Sequence, residues 1–273
     1  MLPRLSSYTY LLGDSATEAS RLRAQARLWD PTAHALFDRL KIRRGATVLE
    51  IGPGAGSLHR ELRRRVRGAV DAVEPSEAFA AGITRLSSRD GLGAGRLWRA
   101  NLASVALPRA HYDVIFARWV FLFLPDPAVH VRQLAAALAP GGVLAIEDYQ
   151  RETLRMIPAP PAWEAFLAAD RAFFESQGGH ASIAGQLPRL LTRAGLGMVE
   201  VAPTVRSGHP GSAVWNWLSS YFLDVLPRFV GLGGFTAANA RQLRRDWIAA
   251  SQEPTSLLIG PALIDVVARK KRT

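Results

Sequence analysis

The amino-acid sequence predicts an α/β fold built on a seven-stranded, mostly parallel sheet, with an antiparallel last strand and helical cap insertions. Between residues 46 and 148, short apolar runs alternate with helical stretches, and strand–helix–strand units in this order pair in parallel through right-handed crossovers. A glycine-rich turn follows the first apolar run. After Tyr149 the alternation stops, and longer segments rich in aromatic residues take its place. These segments predict helices inserted after strand five and between strands six and seven.

The composition is that of one large soluble domain, since the chain has 273 residues, 48% of them apolar and 21% charged. Cysteine is absent, which excludes a disulfide framework and a thiolate metal site. The first residues lack an apolar run long enough for a signal peptide, and the aromatic segment 214–235 contains Asp224 and Arg228, which argue against a membrane span. We therefore expect a cytoplasmic monomer or homodimer without a transmembrane segment.

The formal net charge of +11 raises the question of a nucleic-acid partner. Nearly all of the positive charge is arginine, and the densest run, Arg60–Arg67, falls on a predicted helix where its side chains would mostly face solvent. This pattern therefore argues against a nucleic-acid partner, and a nucleic-acid-binding or modifying protein is the second alternative.

The predicted elements form a single domain over residues 1–273. The seven predicted strands lie at 47–51, 69–74, 95–100, 112–117, 143–148, 198–205 and 262–268. We expect N-terminal helices in 1–40, a core made of 41–150 and 186–206 with 256–270, and cap insertions at 151–185 and 207–255. Within the N-terminal part, 15–40 predicts one or two helices that Pro31 interrupts.

The glycine-rich turn Glu50–Gly56 carries most of the functional information. A strand that runs into glycines and then into a helix places backbone N–H groups and the positive end of a helix dipole beside a ligand. Glu74 ends the next predicted strand, where its carboxylate can accept hydrogen bonds from two ribose hydroxyls. The spacing argues against a dinucleotide, because the third glycine comes one residue early and Glu50 would repel a pyrophosphate. An acid at that position suits a ligand with a cationic amino group.

These segments resemble motif I and the following motifs of the class I S-adenosylmethionine-dependent methyltransferases, of the bacterial small-molecule type. The resemblance runs through Glu50–Gly56, Asp71–Ser76, Tyr112–Ile115 and the turn Pro140–Leu144, and it implies a Rossmann-like fold with S-adenosylmethionine as cofactor and S-adenosylhomocysteine as product. The acid that this family usually carries before Leu102 is replaced by Asn101. By resemblance, the cofactor-binding residues are Tyr10, Gln25, Glu50, Gly52, Gly54, Gly56, Glu74, Pro75, Asn101, Leu102, Ala117 and Arg118.

No strong general base is visible in the sequence, and methyl transfer can proceed largely by holding acceptor and methyl group in line. The candidate catalytic residues are His180, in a predicted cap loop, and Tyr149, which follows strand five next to Asp148. We expect His34 and His59 on helix surfaces. The histidine spacing predicts no metal site.

Aromatic residues on the loop after strand four and on the two insertions predict a cap over a mostly apolar pocket. The candidate pocket residues are Trp119, Phe123, Tyr149, Phe173, His180, Trp217 and Tyr221. The sequence thus favours methyl transfer to an apolar or aromatic small molecule, in the manner of natural-product biosynthesis. A cofactor-binding enzyme of this fold that catalyses a non-methylating reaction such as cyclisation is the first alternative.

Overall fold

The structure, a computed structural model, describes residues 16–272, with side chains from residue 25 onward. Its strands are β1 (Val48–Ile51), β2 (Asp71–Val73), β3 (Leu97–Trp98), β4 (Tyr112–Arg118), β5 (Leu138–Gln150), β6 (Arg155–Ile157), β7 (Gly197–Thr204), β8 (Ser207–Gly208), β9 (Leu257–Ile259) and β10 (Ala262–Arg269). Its α-helices are α1 (Ala16–Leu40), α2 (Ser57–Val66), α3 (Glu77–Arg89), α4 (Pro127–Ala137), α5 (Trp163–Ser176), α6 (Leu187–Arg193), α7 (Ala213–Phe229) and α8 (Ala237–Gln252).

Seven strands form one sheet in the order β3-β2-β1-β4-β5-β10-β7. Strands β1 to β5 pair in parallel, whereas β10 is antiparallel to both of its neighbours. The predicted seven-stranded, mostly parallel sheet with an antiparallel last strand is therefore confirmed. Because the parallel strands share one direction, the turns that follow β1, β2, β3 and β4 meet at the same edge of the sheet.

Alternate residues of the central strands fill two separate apolar layers. On one face, Val114 and Phe116 of β4 pack with residues of α1 and α2, including Phe37. On the other face, Ile115 and Ala117 belong to the larger core, which takes in α4, α6 and the cap. Helices thus cover both faces of the sheet, and its carboxyl edge is left for a site.

Helix α1 runs through Pro31 as one helix, whereas the sequence predicts an interruption there. Proline removes one intrahelical hydrogen bond. Trp29 before it and Ala33 and Phe37 after it are fully buried, so both halves of the helix are fixed against the core. The burial of these side chains offsets the missing bond.

The cap consists of α5, α7 and α8 with a small sheet in the order β6-β9-β8. Strand β9 lies in the segment 256–270 that the sequence assigns wholly to the core, and it pairs instead with β6 and β8 from the two insertions. Such two- and three-residue strands are too short to give a periodic pattern.

The arginine run of α2 faces solvent at Arg60, Arg64 and Arg67, as expected, but Arg63 is an exception. Arg63 is fully buried and donates two hydrogen bonds of 2.6 Å to the Asp90 carboxylate. This pairing lowers the pKa of Asp90 to about 2. No helix within residues 16–272 is long and apolar enough to cross a bilayer.

Candidate active site

A cavity of about 750 Å³ opens at the carboxyl edge of the sheet. The turns that follow β1, β2, β3 and β4 all contribute to its wall, together with the start of α4 and the end of α5. The predicted site residues that line it are Glu50, Gly52, Gly54, Glu74, Pro75, Asn101, Leu102, Arg118, Trp119 and Phe123. The parallel sheet therefore brings these residues together, although they span 74 positions of the chain, from residue 50 to residue 123.

The glycine turn leaves room for a ligand beside the backbone. Gly52, Gly54 and Gly56 all have positive φ angles, of 66°, 51° and 81°. A Cβ atom on Gly52 would lie 2.7 Å from Val120, and one on Gly56 would lie 2.9 Å from Ile83, so these two glycines face protein. A Cβ atom on Gly54 would meet nothing within 4 Å. Gly54 is thus the glycine that faces the open cavity, whereas Gly56 supports the turn from behind.

Glu74 is fixed by the turns on either side of it. Its Oε2 accepts a hydrogen bond of 3.0 Å from the Gly54 N–H, and its Oε1 accepts one of 2.9 Å from the Ser76 N–H. Burial raises the pKa of Glu74 to about 7, the two backbone donors oppose this, and the nearby Glu50 charge adds to it. The ionised form of such a buried carboxyl group is stabilised by any further hydrogen-bond donors that a ligand supplies.

Glu50 is held by a histidine that the sequence pattern assigns to the helix surface. That expectation is wrong, since His59 on α2 is 1% exposed and its Nδ1 lies 2.9 Å from Glu50 Oε2. The other ring nitrogen, Nε2, is buried without a partner among the described residues. A proton on Nδ1, donated to Glu50, is therefore the arrangement that avoids burying an unpaired N–H.

The wall opposite the glycine turn comes from the segment after β3. Asn101 and Leu102 line the cavity, followed by Ala103 and Ser104. His130, on α4, lines the cavity as well, and sequence reasoning misses it because it is one histidine of six with no motif around it. Its Nδ1 lies 3.3 Å from the Gln133 side-chain oxygen.

The end of β4 forms the third wall. Arg118 makes an ion pair of 2.5 Å with Asp30 of α1, and its guanidinium lies 4.3 Å from the Trp119 ring centroid. Trp119 has a φ angle of 55°, which is rare for a residue with a side chain and occurs often at functional sites. Its indole stacks on Tyr149, with ring centroids 5.6 Å apart. Ala117 is fully buried in the core behind this wall.

Two other predicted cofactor residues and one catalytic candidate lie behind or outside this wall. Tyr10 is outside the described residues. Gln25 is buried on α1 next to the cavity-lining Ala26, and its Nε2 donates a hydrogen bond of 3.4 Å to the Tyr149 hydroxyl. Tyr149 is buried between Trp29, Trp119 and Trp217 and does not line the cavity.

The cap aromatics are mostly packing residues. Phe173 packs on Phe174 and Phe229, and Trp217 packs on Trp29. The Tyr221 hydroxyl donates a hydrogen bond of 2.6 Å to Asp170, which Arg151 also binds through two bonds. In the described part of the chain, Phe173, Trp217 and Tyr221 do not line the cavity, although the sequence predicts them in the pocket. The apolar side chains of the cap pack against one another instead.

His180 also lies off the cavity wall. Its backbone N–H donates a hydrogen bond of 2.8 Å to the Leu122 carbonyl, and its Nε2 is 3.5 Å from the Pro125 carbonyl oxygen. Gln177, three residues earlier, is the residue of this segment that reaches the cavity. The segment 177–180 therefore contributes Gln177 to the cavity wall, and His180 holds this segment against the loop after β4.

Asp148 supports the site from beneath. It is fully buried, and its carboxylate accepts hydrogen bonds from the backbone N–H groups of Leu122 and Tyr149. Burial raises the pKa of Asp148 to about 7, against the effect of these donors. All of these contacts are to backbone, so Asp148 holds the loop after β4 in place. No group of three potential metal ligands converges anywhere in residues 16–272.

The residues present fit S-adenosylmethionine. Glu50 supplies a carboxylate for an amino group, Glu74 one for ribose hydroxyls, and Gly54 provides the open space beside the backbone that a ligand needs. Apolar side chains of Pro75, Phe79 and Leu102 lie in the wall with them, as a purine ring requires.

Comparison with known proteins agrees with this geometry. A family model described as a methyltransferase domain matches residues 21–201. The trans-aconitate 2-methyltransferase of Azoarcus sp. (strain BH72) is 33% identical over 149 residues, which are 51% of this chain and 55% of that protein. This chain therefore spans about half the length of that relative. The protein of the same name from Paracidovorax citrulli is 29% identical over 227 residues, 77% of this chain and 82% of that protein.

Solved structures show the same fold. The [4+2]-cyclase SpnF superposes with a TM-score of 0.58 at 18% identity, covering 89% of this chain and 81% of that one. A Haemonchus contortus phosphoethanolamine N-methyltransferase 2 in complex with S-adenosyl-L-methionine gives a TM-score of 0.53 at 15% identity, covering 90% of this chain and 53% of that one. With a family model that matches well over half of its length, the chain belongs to the class I S-adenosylmethionine-dependent methyltransferase family.

Proposed function

We propose that this protein transfers the methyl group of S-adenosylmethionine to a small organic molecule with an apolar or aromatic part. The observation that carries the proposal is the continuity of one cavity. Its wall runs from the glycine turn and the carboxylates of Glu50 and Glu74 to the apolar side chains of Trp119, Val120 and Phe123. A volume of about 750 Å³ lies within the usual range for small-molecule sites.

In this mechanism the bound cofactor supplies an electrophilic methyl group on a sulfonium sulfur. Glu50, oriented by His59, holds the amino group, and Glu74 holds the ribose. Trp119 and Phe123, with the loop that Asp148 fixes, hold the acceptor and exclude water. Among the described residues, the only carboxylates and imidazoles on the wall are Glu50, Glu74 and His130, so catalysis relies mainly on orientation.

The relatives support methyl transfer without identifying the acceptor. Their names specify trans-aconitate for the proteins from Azoarcus and Paracidovorax citrulli, and malonyl-[acyl-carrier protein] for an O-methyltransferase of Enterobacter lignolyticus that is 27% identical over 213 residues. The acceptors named for these proteins differ in size and in attachment to a carrier. The acceptor of this chain therefore has to be found by screening.

The first test is calorimetric titration with S-adenosylmethionine, with Gly54→Arg as the blocked site. The arginine would point into the open cavity rather than into protein, so we expect binding to be lost, by 100-fold or about 2.7 kcal/mol or more. Gly195→Arg is the matched control, because Gly195 also has a positive φ, of 82°, and open space around it, but lies in the turn before β7 at the opposite edge of the sheet. Equal effects of both variants, or no binding by the wild type, would contradict the proposal.

A non-methylating reaction is the second candidate. It is favoured by the scarcity of acid–base groups on the cavity wall and by the similarity of the fold to a [4+2]-cyclase. Turnover of each candidate substrate should be followed together with formation of S-adenosylhomocysteine. Product that forms without S-adenosylhomocysteine would establish this second candidate and exclude methyl transfer for that substrate.

A further inference from the structure

His130 is the one imidazole on the wall of the described cavity, and its orientation is set from behind. His130 is 5% exposed, and its Nδ1 lies 3.3 Å from Oε1 of Gln133, one helical turn later on α4. No carboxylate forms an ion pair with it in the described part of the chain. The other ring nitrogen, Nε2, has no hydrogen-bond partner among those residues.

Gln133 determines which ring nitrogen carries the hydrogen. Its Nε2 donates hydrogen bonds of 3.0 Å to the Leu102 carbonyl and 2.8 Å to the Val105 carbonyl. Two carbonyl acceptors fix the amide nitrogen on that side, so the amide oxygen must face His130. An amide oxygen can only accept, and the neutral His130 ring must therefore donate through Nδ1. Nε2 is left as a hydrogen-bond acceptor with its lone pair available to a ligand.

The same hydrogen bonds tie His130 to one particular wall. Because Gln133 binds the Leu102 and Val105 carbonyls, His130 is fixed next to the turn that contributes Asn101 and Ser104 to the cavity. On the neighbouring wall, Pro75 follows Glu74 directly in the chain and Phe79 lies in the first turn of α3. A nucleoside whose ribose is held by Glu74 therefore has its base among these apolar residues, with the polar edge of the base toward Asn101 and His130.

We propose that His130 Nε2 accepts a hydrogen bond from the exocyclic amino group of the cofactor's adenine, and that it thereby selects adenine. The proposal rests on the proposed function, since it takes S-adenosylmethionine as the ligand. Asn101 also lines this wall, but an amide can turn either its oxygen or its N–H donors toward a ligand, whereas the tautomer of His130 leaves Nε2 as an acceptor only. A histidine locked as an acceptor supplies the partner that this amino group needs. His130 is accordingly a specificity residue.

The test compares two ligands by calorimetry: S-adenosylhomocysteine and its purine analogue with hydrogen in place of the amino group. The wild type should bind the adenine ligand about 5- to 10-fold more tightly, the usual effect of one hydrogen bond. His130→Phe keeps an aromatic ring but removes the acceptor, so it should bind both ligands alike, at the wild-type affinity for the analogue. His111→Phe is the matched control, because His111 is exposed in the turn before β4, and it should retain full discrimination.

A second measurement does not depend on affinity. Nitrogen-15 chemical shifts of the ligand-free protein should show His130 with its proton on Nδ1, and Gln133→Leu should abolish that preference. The same variant should reduce discrimination between the two ligands without removing it.

The outcomes separate the two proposals. If the wild type binds S-adenosylhomocysteine but His130→Phe weakens both ligands equally or neither of them, His130 does not recognise the amino group and this inference is wrong, while the proposed function stands. A proton on Nε2 in the wild type would overturn the inference in the same way. If the wild type binds neither ligand, the cofactor assignment fails and the inference fails with it.

Discussion

The cavity wall and the cap both bury charged side chains, but they satisfy them in opposite ways. In the cap, Asp170 accepts two hydrogen bonds from Arg151 and one from Tyr221, and Arg151 lies between the rings of Phe174 and Tyr221. At the cavity, Glu50 and Glu74 have no arginine or lysine within ion-pair distance among the described residues.

This difference separates a structural cluster from a site. A buried pair that is fully bonded within the protein has little left to offer a ligand, and its role is to hold elements together. Two carboxylates that share an open cavity repel each other, and this repulsion contributes to the raised pKa of Glu74. A ligand that brings a cation or a hydrogen-bond donor reduces this repulsion and stabilises the carboxylates. Burial alone would not have separated the two regions.

The largest effect is expected from breaking the cap cluster. Asp170→Ala leaves Arg151 buried without its counter-ion, and the loss of one partner of a buried pair lowers the free energy of unfolding by about 3–5 kcal/mol. Chemical denaturation measures this change. Asp224→Ala is the control, since Asp224 and Arg228 form a largely exposed ion pair that contributes about 0.5 kcal/mol or less. A loss below about 1 kcal/mol for Asp170→Ala would mean that the cluster does not hold α5 to α7.

At the cavity, Glu74→Gln should affect cofactor affinity more than the free energy of unfolding. The amide keeps one acceptor oxygen but loses the charge, so S-adenosylmethionine affinity should fall by about 10- to 100-fold, as expected for hydrogen bonds to a charged group. The free energy of unfolding should fall by about 1–2 kcal/mol, less than in Asp170→Ala, because the amide nitrogen faces one of the two backbone N–H donors while removal of an unfavourable buried charge offsets part of that cost. Calorimetry and denaturation on the same sample separate the two quantities. A variant that loses stability and keeps affinity would place Glu74 among the structural groups.

The pH dependence of cofactor affinity tests the role of Glu74 as a ligand-binding carboxylate. Burial raises the pKa of Glu74 to about 7, so below pH 7 the ligand-free protein holds this carboxyl protonated. Ribose hydroxyls favour the carboxylate, and binding must then release the proton. Affinity should therefore fall below pH 7, by at most about 10-fold per pH unit.

The free energy of unfolding should fall as pH rises, whereas cofactor affinity should increase. A carboxyl whose folded pKa exceeds its unfolded pKa contributes stability that is complete below the unfolded value and is lost as pH rises through 7. The pKa of Asp148 is raised to about 7 as well, so it acts in the same direction. Titrations between pH 6 and 8 should thus show rising affinity and falling stability, and in Glu74→Gln the affinity should become insensitive to pH. An affinity that is flat in the wild type would contradict the assignment of Glu74.

The sequence predicts one of the two regions far better than the other. The glycine turn and Glu74 are recognisable because a strand, its turn and the next strand lie close together along the chain, and the positive φ angles of the turn favour glycine. The partners of His59, His130 and Asp170 depend on which side chains meet in three dimensions. Asp170 and Tyr221, for example, are 51 residues apart and on different helices. Aromatic spacing alone does not say whether a ring lines a cavity or packs beside it, and Phe173 and Trp217 pack.

The smallest effect is expected at Tyr221, where the comparison is most direct because the sequence predicts this residue in the pocket and the structure places it in the cap cluster. Tyr221→Phe removes one hydrogen bond to the Asp170 carboxylate and keeps the ring, so the free energy of unfolding should fall by about 1.5 kcal/mol, the lower end for a bond to a charged group, because Arg151 still pairs with Asp170. Since the side chain does not line the cavity, acceptor KM and cofactor affinity should stay within twofold of the wild type. Phe123→Leu, a change on the wall itself, should alter acceptor KM with a stability loss of similar size. A larger KM effect at Tyr221 than at Phe123 would show that the cap opens to admit the acceptor.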